Sequence, residues 1–131
     1  ANSEKVRNHI GSIPIEKTKF MISLVPEGKN YKALPEEYQG IYKYHEALTR
    51  YHSKKPSNTI NTGHRSHFHY KWNRIPTVRE SARLQSFPDD FIFYGNKSQQ
   101  YRQVGNAVPP MLGQVVAEKL KQYLKGQDDV E

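Results

Sequence analysis

The sequence predicts an α+β fold: a first region of short strands and long loops, followed by three helices. Three observations carry that prediction. Up to residue 74 the apolar runs are short and are broken by Pro, Gly and polar clusters. From residue 75 onward, helix-start signals come in succession at Thr77, Ser98 and Pro110. The last of these opens a run in which Leu112, Val115, Val116, Leu120, Tyr123 and Leu124 share one face at helical spacing, with Gly126 as the stop.

Taken in order, residues 3–10 read as a short helix, with Val6 and Ile10 four apart and Gly11 ending it. Residues 20–25 form an apolar run fit for one strand or a short buried helix, closed by Pro26, and 26–30 is a turn. Pro35 at an early position lets a helix begin over residues 34–38. The stretch from Tyr38 to Tyr51 interleaves Tyr42, Tyr44 and Tyr51 with Lys43, His45 and Arg50. Such a mixture suits nucleic acid, where cations meet phosphates and rings stack; it equally suits a satellite core of tyrosines with wet hydroxyls.

Lys54, Lys55, Pro56, Ser57 and Asn58 make a basic turn, and residues 59–62 alternate as a short strand that Gly63 ends. Farther on, His67 and His69 would share one face of a strand. No carboxylate or cysteine lies close enough in sequence to complete a zinc site there. Positioning against phosphate, or strand filling beside Phe68, Tyr70 and Trp72, is the reading adopted, and no metal site is assigned.

Thr77 is a helix N-cap, and Glu80 three residues on completes a capping box worth about 1 kcal/mol. This helix carries Val78, Ala82 and Leu84 inward and halts at Phe87-Pro88. Asp89 and Asp90 read as turn formers, not as an acid–base pair. Ser98 caps a second helix running to Val104, which Gly105 and Asn106 end in a tight turn. Pro109 and Pro110 pre-set the third helix, whose free N–H groups and positive end face whatever lies in front.

With 131 residues the chain is one modest domain or a piece of a larger one. Twenty Lys+Arg against thirteen Asp+Glu leave a formal charge of +7, which fits either a solvated basic surface or a polyanionic partner. There is no cysteine, hence no disulfide framework and no thiolate metal site. No apolar run is long enough to span a bilayer and no signal peptide is visible, so a soluble, cytoplasmic chain is expected.

Residues 103–110, Gln-Val-Gly-Asn-Ala-Val-Pro-Pro, resemble the last conserved motif of the C5-cytosine DNA methyltransferases. Residues 77–91, Thr-Val-Arg-Glu-Ser-Ala-Arg-Leu-Gln-Ser-Phe-Pro-Asp-Asp-Phe, resemble the motif before it, at the family's usual separation. The segment upstream looks like the family's target recognition domain. The resemblance therefore implies a recognition region over residues 1–74, motifs returning to the catalytic domain over 75–126, and a frayed tail over 127–131. It implies the C-terminal portion of a bacterial-type enzyme, an incomplete piece of a Rossmann-like methyltransferase.

Members of that family attack C6 of a flipped-out cytosine with a cysteine thiolate, and C5 then takes a methyl group from S-adenosylmethionine. A chain without cysteine, and without the family's Gly-rich cofactor loop or Glu-Asn-Val motif, holds no catalytic residue and is expected to be inactive alone. By the same resemblance Asn106, Ala107 and Val108 line the S-adenosylmethionine pocket. Arg50 is the candidate base reader, its fork matching guanine O6 and N7. Thr59 matches the Pro-x-x-Thr-Ile start of a second recognition loop, and Lys54, Lys55 and Arg65 add cations beside it. The implied partners are double-stranded DNA, the N-terminal catalytic domain or subunit, and in isolation a second copy covering the last helix. The alternative is a stand-alone basic DNA-binding module, which has no need of a methyl-donor pocket at residues 106–108.

Overall fold

The computed structural model describes residues 6–42, 44, 46–63 and 66–128. The apolar run at 20–25 is resolved as a helix, α1 (Glu16–Ser23), which starts ahead of the run and buries Met21 and Ile22. A 3-10 turn at Tyr31–Ala33 follows, with the Asn30 side chain accepting from the Lys32 N–H at 3.1 Å. Pro35 then sits at the N-cap of the single-turn α2 (Glu36–Gln39), in keeping with its missing donor.

The sheet is minimal. β1 (Thr49–Arg50) runs parallel to β2 (His67–Phe68), with Thr49 opposite His67 and Arg50 opposite Phe68. Residues 59–62, expected as a strand, carry no strand pairing; the ladder partner of β1 is β2, beyond them. Met21, Ile22, Val25, Leu34, Leu48 and Phe68 form the first core, with Tyr31, Tyr38 and Tyr42 packed around it. Tyr38 and Tyr42 of the tyrosine-rich stretch therefore pack against the core, although Tyr44 is 81% exposed. Lys43, His45 and Arg65 lie outside the described residues.

The three expected helices are α3 (Val78–Leu84), α4 (Lys97–Asn106) and α5 (Pro110–Asp128). The Thr77–Glu80 capping box is present in both directions. Leu84 departs from expectation: it is 49% exposed, while Val78 and Ala82 are buried. The helix stops because Ser86 turns left-handed at φ 63°. The Phe87 N–H then reaches back to the Ala82 carbonyl at 2.9 Å and the Ser86 N–H to Arg83 at 3.0 Å, closing a Schellman motif without glycine.

The N-cap of α4 is Asn96, not Ser98. Its side chain accepts from the Gln99 N–H while Gln99 returns a bond to the Asn96 N–H, a second capping box. Gly105 does not end this helix and Gly126 does not end α5, because both lie inside helical turns. Residues 127 and 128 of the expected tail continue α5, and 129–131 lie outside the described residues. α3 and α4 enclose the second core of Val78, Ala82, Phe93, Tyr101 and Val104, joined by Ile60 and Phe87; Ile75 touches both cores.

Residues 6–10 are not helical, and Asn8 is left-handed at φ 61°. Its amide substitutes for a peptide group, accepting from the Phe93 N–H at 3.0 Å and donating to the Phe93 carbonyl at 2.8 Å. The Arg79 N–H adds a bond to the Asn8 carbonyl at 3.0 Å, and Ser12 bridges Ile75. This arm thus lies on the later region, across the sequence boundary at residue 74. Residues 3–5 of the expected helix lie outside the described residues.

Candidate nucleic-acid interface and the adjoining turn

The loop after β1 is turned by two local devices. Gly28 adopts φ +74°, and a Cβ there would lie 2.8 Å from the His52 ring, so both conformation and space call for glycine. The Glu27 carboxylate accepts from the Ser53 N–H and sits 3.8 Å from His52 Nδ1; the Ser53 side chain first, and its N–H second, hold the carboxyl pKa below the ordinary range. The Lys54 N–H donates to that same ring nitrogen at 3.0 Å. Lys54, Lys55 and Thr59 emerge from this turn with exposed side chains, on one loop, as a phosphate-facing surface needs. Farther along, Lys71 lies 5.1 Å over the half-exposed Trp72 ring, a basic–aromatic pair at the surface.

Arg50 does not join them. Only 6% exposed, it donates through Nε to Val25 O at 2.8 Å and through Nη1 to His69 O and Tyr70 O at 3.2 and 3.4 Å. Nη2 donates to Ile22 O at 2.5 Å and Asn73 Oδ1 at 2.6 Å. A fork with all five N–H groups engaged has none left for guanine. In this structure Arg50 ties α1 to the segment after β2, which does not fit the expected role of a base reader.

The two histidines do unlike work. Nδ1 of His69 accepts from the Lys71 and Trp72 N–H groups at 3.0 and 3.1 Å, closing the turn after β2. Burial, then the Arg74 charge, pushes its pKa down. His67 is buried and stacks on Tyr51 at 5.3 Å. Burial lowers its pKa too, and its Nε2 has no hydrogen-bond partner. Asn61 Oδ1 is likewise buried and unpartnered, and both residues line one cavity of about 20 Å³ with Ser81 and Tyr101. That volume matches a single water, with polar groups on two sides to receive it.

Below the loop, Arg74 grips Glu80 through two bonds of 2.7 Å, and the Thr77 N–H adds a third. Burial pushes the Glu80 carboxyl up, but Arg74 and the Thr77 N–H outweigh it and hold it at about 2. Asp89 receives the Arg83 fork at 2.8 and 2.6 Å, a surface pair that fixes the turn. Arg79, fully buried, donates to the carbonyls of Arg7, Pro88 and Phe91.

The α4–α5 turn presents Asn106 and Val108 to solvent, Val108 at 66%, with Ala107 half-buried between them. Gly105 is helical. Its glycine is required from outside the helix: an added Cβ would stand 2.6 Å from Asn61 C, Asn61 O and Thr62 N. Gln85, which the sequence reading passed over, is buried and donates to the Val104 carbonyl at 2.8 Å, supporting the last turn of α4. The Met111 N–H at the start of α5 is taken by Ser86 Oγ at 3.1 Å, so the mouth of that helix is not wholly free. Beyond it Met111, Leu112, Val115, Val116, Leu120, Tyr123 and Leu124 are all between 51% and 67% exposed. Among the described residues, this face is left uncovered by the rest of the chain.

The arrangement is a loop with cations beside a turn and an uncovered apolar helix, and comparison with known proteins gives it a context. The family model for the C-5 cytosine-specific DNA methylases matches residues 3–122. The chain is 50% identical over 97 residues to the Type II methyltransferase M1.HphI of Haemophilus parahaemolyticus, covering 74% of this chain and 26% of that protein. It is 42% identical over 100 residues to M.NgoFVII of Neisseria gonorrhoeae, covering 72% and 27%. With M.DdeI of Desulfomicrobium norvegicum it shares 31% identity over 139 residues, covering 92% of this chain and 34% of the relative. It thus spans a quarter to a third of the length of these relatives. Among the described residues no helix is long and apolar enough to cross a membrane. A match over nearly the whole chain, with the two motifs lying at α3 and at the α4–α5 turn, leads to one assignment: the chain belongs to the C-5 cytosine-specific DNA methylase family.

Proposed function

We propose that this chain is the C-terminal portion of a DNA (cytosine-5-)-methyltransferase, contributing target recognition and one wall of the S-adenosylmethionine pocket. Residues 6–74 supply the DNA-facing loop with Lys54, Lys55 and Thr59. Asn106, Ala107 and Val108 supply the cofactor-facing turn, where Asn106 offers an amide and Val108 an apolar surface. The bound cofactor supplies the methyl group, and the nucleophilic sulfur belongs to the N-terminal catalytic part, because this chain has no cysteine. The Rossmann-like domain is completed only when the two parts meet.

The observation that carries the reading is the apolar face of α5, exposed immediately after an exposed Asn106 and Val108. A stripe of this kind marks an interface. A stand-alone DNA-binding module would have no use for it. The test mixes this chain with the N-terminal catalytic part of the same enzyme and follows methyl transfer from labelled S-adenosylmethionine to DNA. Neither part alone should transfer methyl groups, and the mixture should. Tight DNA binding by this chain alone, with no activity on mixing, would favour the stand-alone module instead.

A further inference from the structure

The exposed DNA-facing Thr59 and the cofactor-facing Asn106 are joined through the second core by a very short physical path. Ile60, next to Thr59, packs into the second core that contains Val104. One residue farther along each of these two segments, the backbone of Asn61 and Thr62 lies against Gly105, so close that a Cβ would stand 2.6 Å from three backbone atoms. Backbone atoms cannot swing aside as the end of a long side chain can. From the other side, Gln85 holds the Val104 carbonyl at 2.8 Å and fixes the height of that helical turn. Gly105 is thus not needed for its own backbone angles, being helical, but for the space it leaves to another segment.

We propose that Gly105 is a positioning residue that seats the DNA-facing loop 59–62 directly on the cofactor-facing turn 106–108, so that the two ligands are held by one seam. This rests on the functional reading above. Either ligand, by ordering its own side of the seam, removes part of the ordering cost met by the other, so each tightens the other's binding.

The experiment uses the full enzyme, with both parts present. S-adenosylmethionine and plasmid DNA affinities are measured separately and together, and amide hydrogen exchange is followed in the unaltered protein. Each ligand should tighten the other by about tenfold, within the usual range of coupling between sites. Gly105→Ala should bring that factor towards one and weaken both ligands. Gly40→Ala is the control, since an added Cβ there meets nothing within 4 Å and its φ of −64° suits alanine; it should leave both affinities unchanged. Should Gly105→Ala not fold, exchange in the unaltered protein decides. S-adenosylmethionine should slow exchange at 60–62 as well as at 104–108, and DNA should do the converse.

A folded Gly105→Ala enzyme with unaltered affinities and coupling would overturn the proposal. So would ligands that each protect their own segment alone. Failure of S-adenosylmethionine to protect residues 104–108 at all is a different result, and it would remove the cofactor reading on which the seam depends.

Discussion

Replacing Arg50 by lysine separates two roles that its position in the sequence leaves open. The guanidinium makes five contacts, four to main-chain carbonyls and one to Asn73 Oδ1, at 2.5 to 3.4 Å. Lysine carries three donors on one nitrogen, so at least two of the five acceptors lose their partner, and the forked geometry goes as well. A buried acceptor left without a donor costs about 1–3 kcal/mol. The longest contact, to Tyr70 O at 3.4 Å, is weak enough that its loss counts little. Arg50→Lys should therefore cost at least about 1–3 kcal/mol, a sizeable fraction of the stability of a domain this small. At about 4 °C per kcal/mol that lowers Tm by about 4–12 °C.

The assay is thermal unfolding by circular dichroism, paired with DNA affinity measured well below both transitions. The expected result is a large fall in Tm with little change in affinity of the folded protein. An unchanged Tm with a selective loss of affinity for one DNA sequence would refute this, since it would mean the fork leaves its pocket to read a base.

Other perturbations address the remaining parts. Glu80, held at about 2 instead of its ordinary 4.5, contributes stability that is fully present above pH 4.5 and is lost as pH falls towards 2. The difference is equivalent to about 3 kcal/mol. The urea midpoint should fall through that acid window, and in Glu80→Gln the fall should be much shallower and the neutral-pH stability lower. Lys54→Ala and Lys55→Ala, on exposed side chains, should leave Tm unaltered and weaken DNA binding across sequences. Each should reduce the slope of log Kd against log salt by about 0.9 if one phosphate contact is lost. Val116→Asp, at a position already 51% exposed, should change the stability of this chain alone by about 0.5 kcal/mol or less. Yet it should weaken assembly with the catalytic part about 100-fold or more, as gel filtration of the mixture would show, because the new charge is buried unpaired.

Much of the second region was legible because its signals are local. The Thr77–Glu80 box, the start of α5 at Pro110 and its apolar stripe all follow from residues within a few positions of one another. Placing the α4 cap at Ser98 overlooked an equally local clue, Asn96 followed three residues later by Gln99. Other features depend on segments far apart in the chain. Gly105 looks like a turn residue to any reading of its neighbours, yet its cause is the backbone of Asn61, more than forty residues earlier. Hydrophobic periodicity likewise finds α5 but is blind to buried polar staples. Arg50 finds its partners 19 to 28 residues away, and Arg79 reaches back 72 residues to the Arg7 carbonyl.

That blindness alters how the charge of the chain should be weighed. A formal +7 points towards a polyanion, and the field of every cation contributes to attraction at long range. Contact is a different matter. Arg50 and Arg79 are buried on carbonyls, while Arg74 and Arg83 are forked onto Glu80 and Asp89. These four arginines are thus engaged within the chain, Arg50 and Arg79 in its interior and Arg83 in a surface pair, and the candidate loop shows lysines instead. A lysine neutralises phosphate as a point charge but does not supply the two-pronged match that distinguishes guanine. On the proposed reading, affinity and salt dependence should follow Lys54 and Lys55, and among the described residues of this loop Thr59, together with DNA shape, is the means of base discrimination to test. The separation is measurable: lysine substitutions should weaken cognate and random DNA alike, and Thr59→Ala should narrow the gap between them.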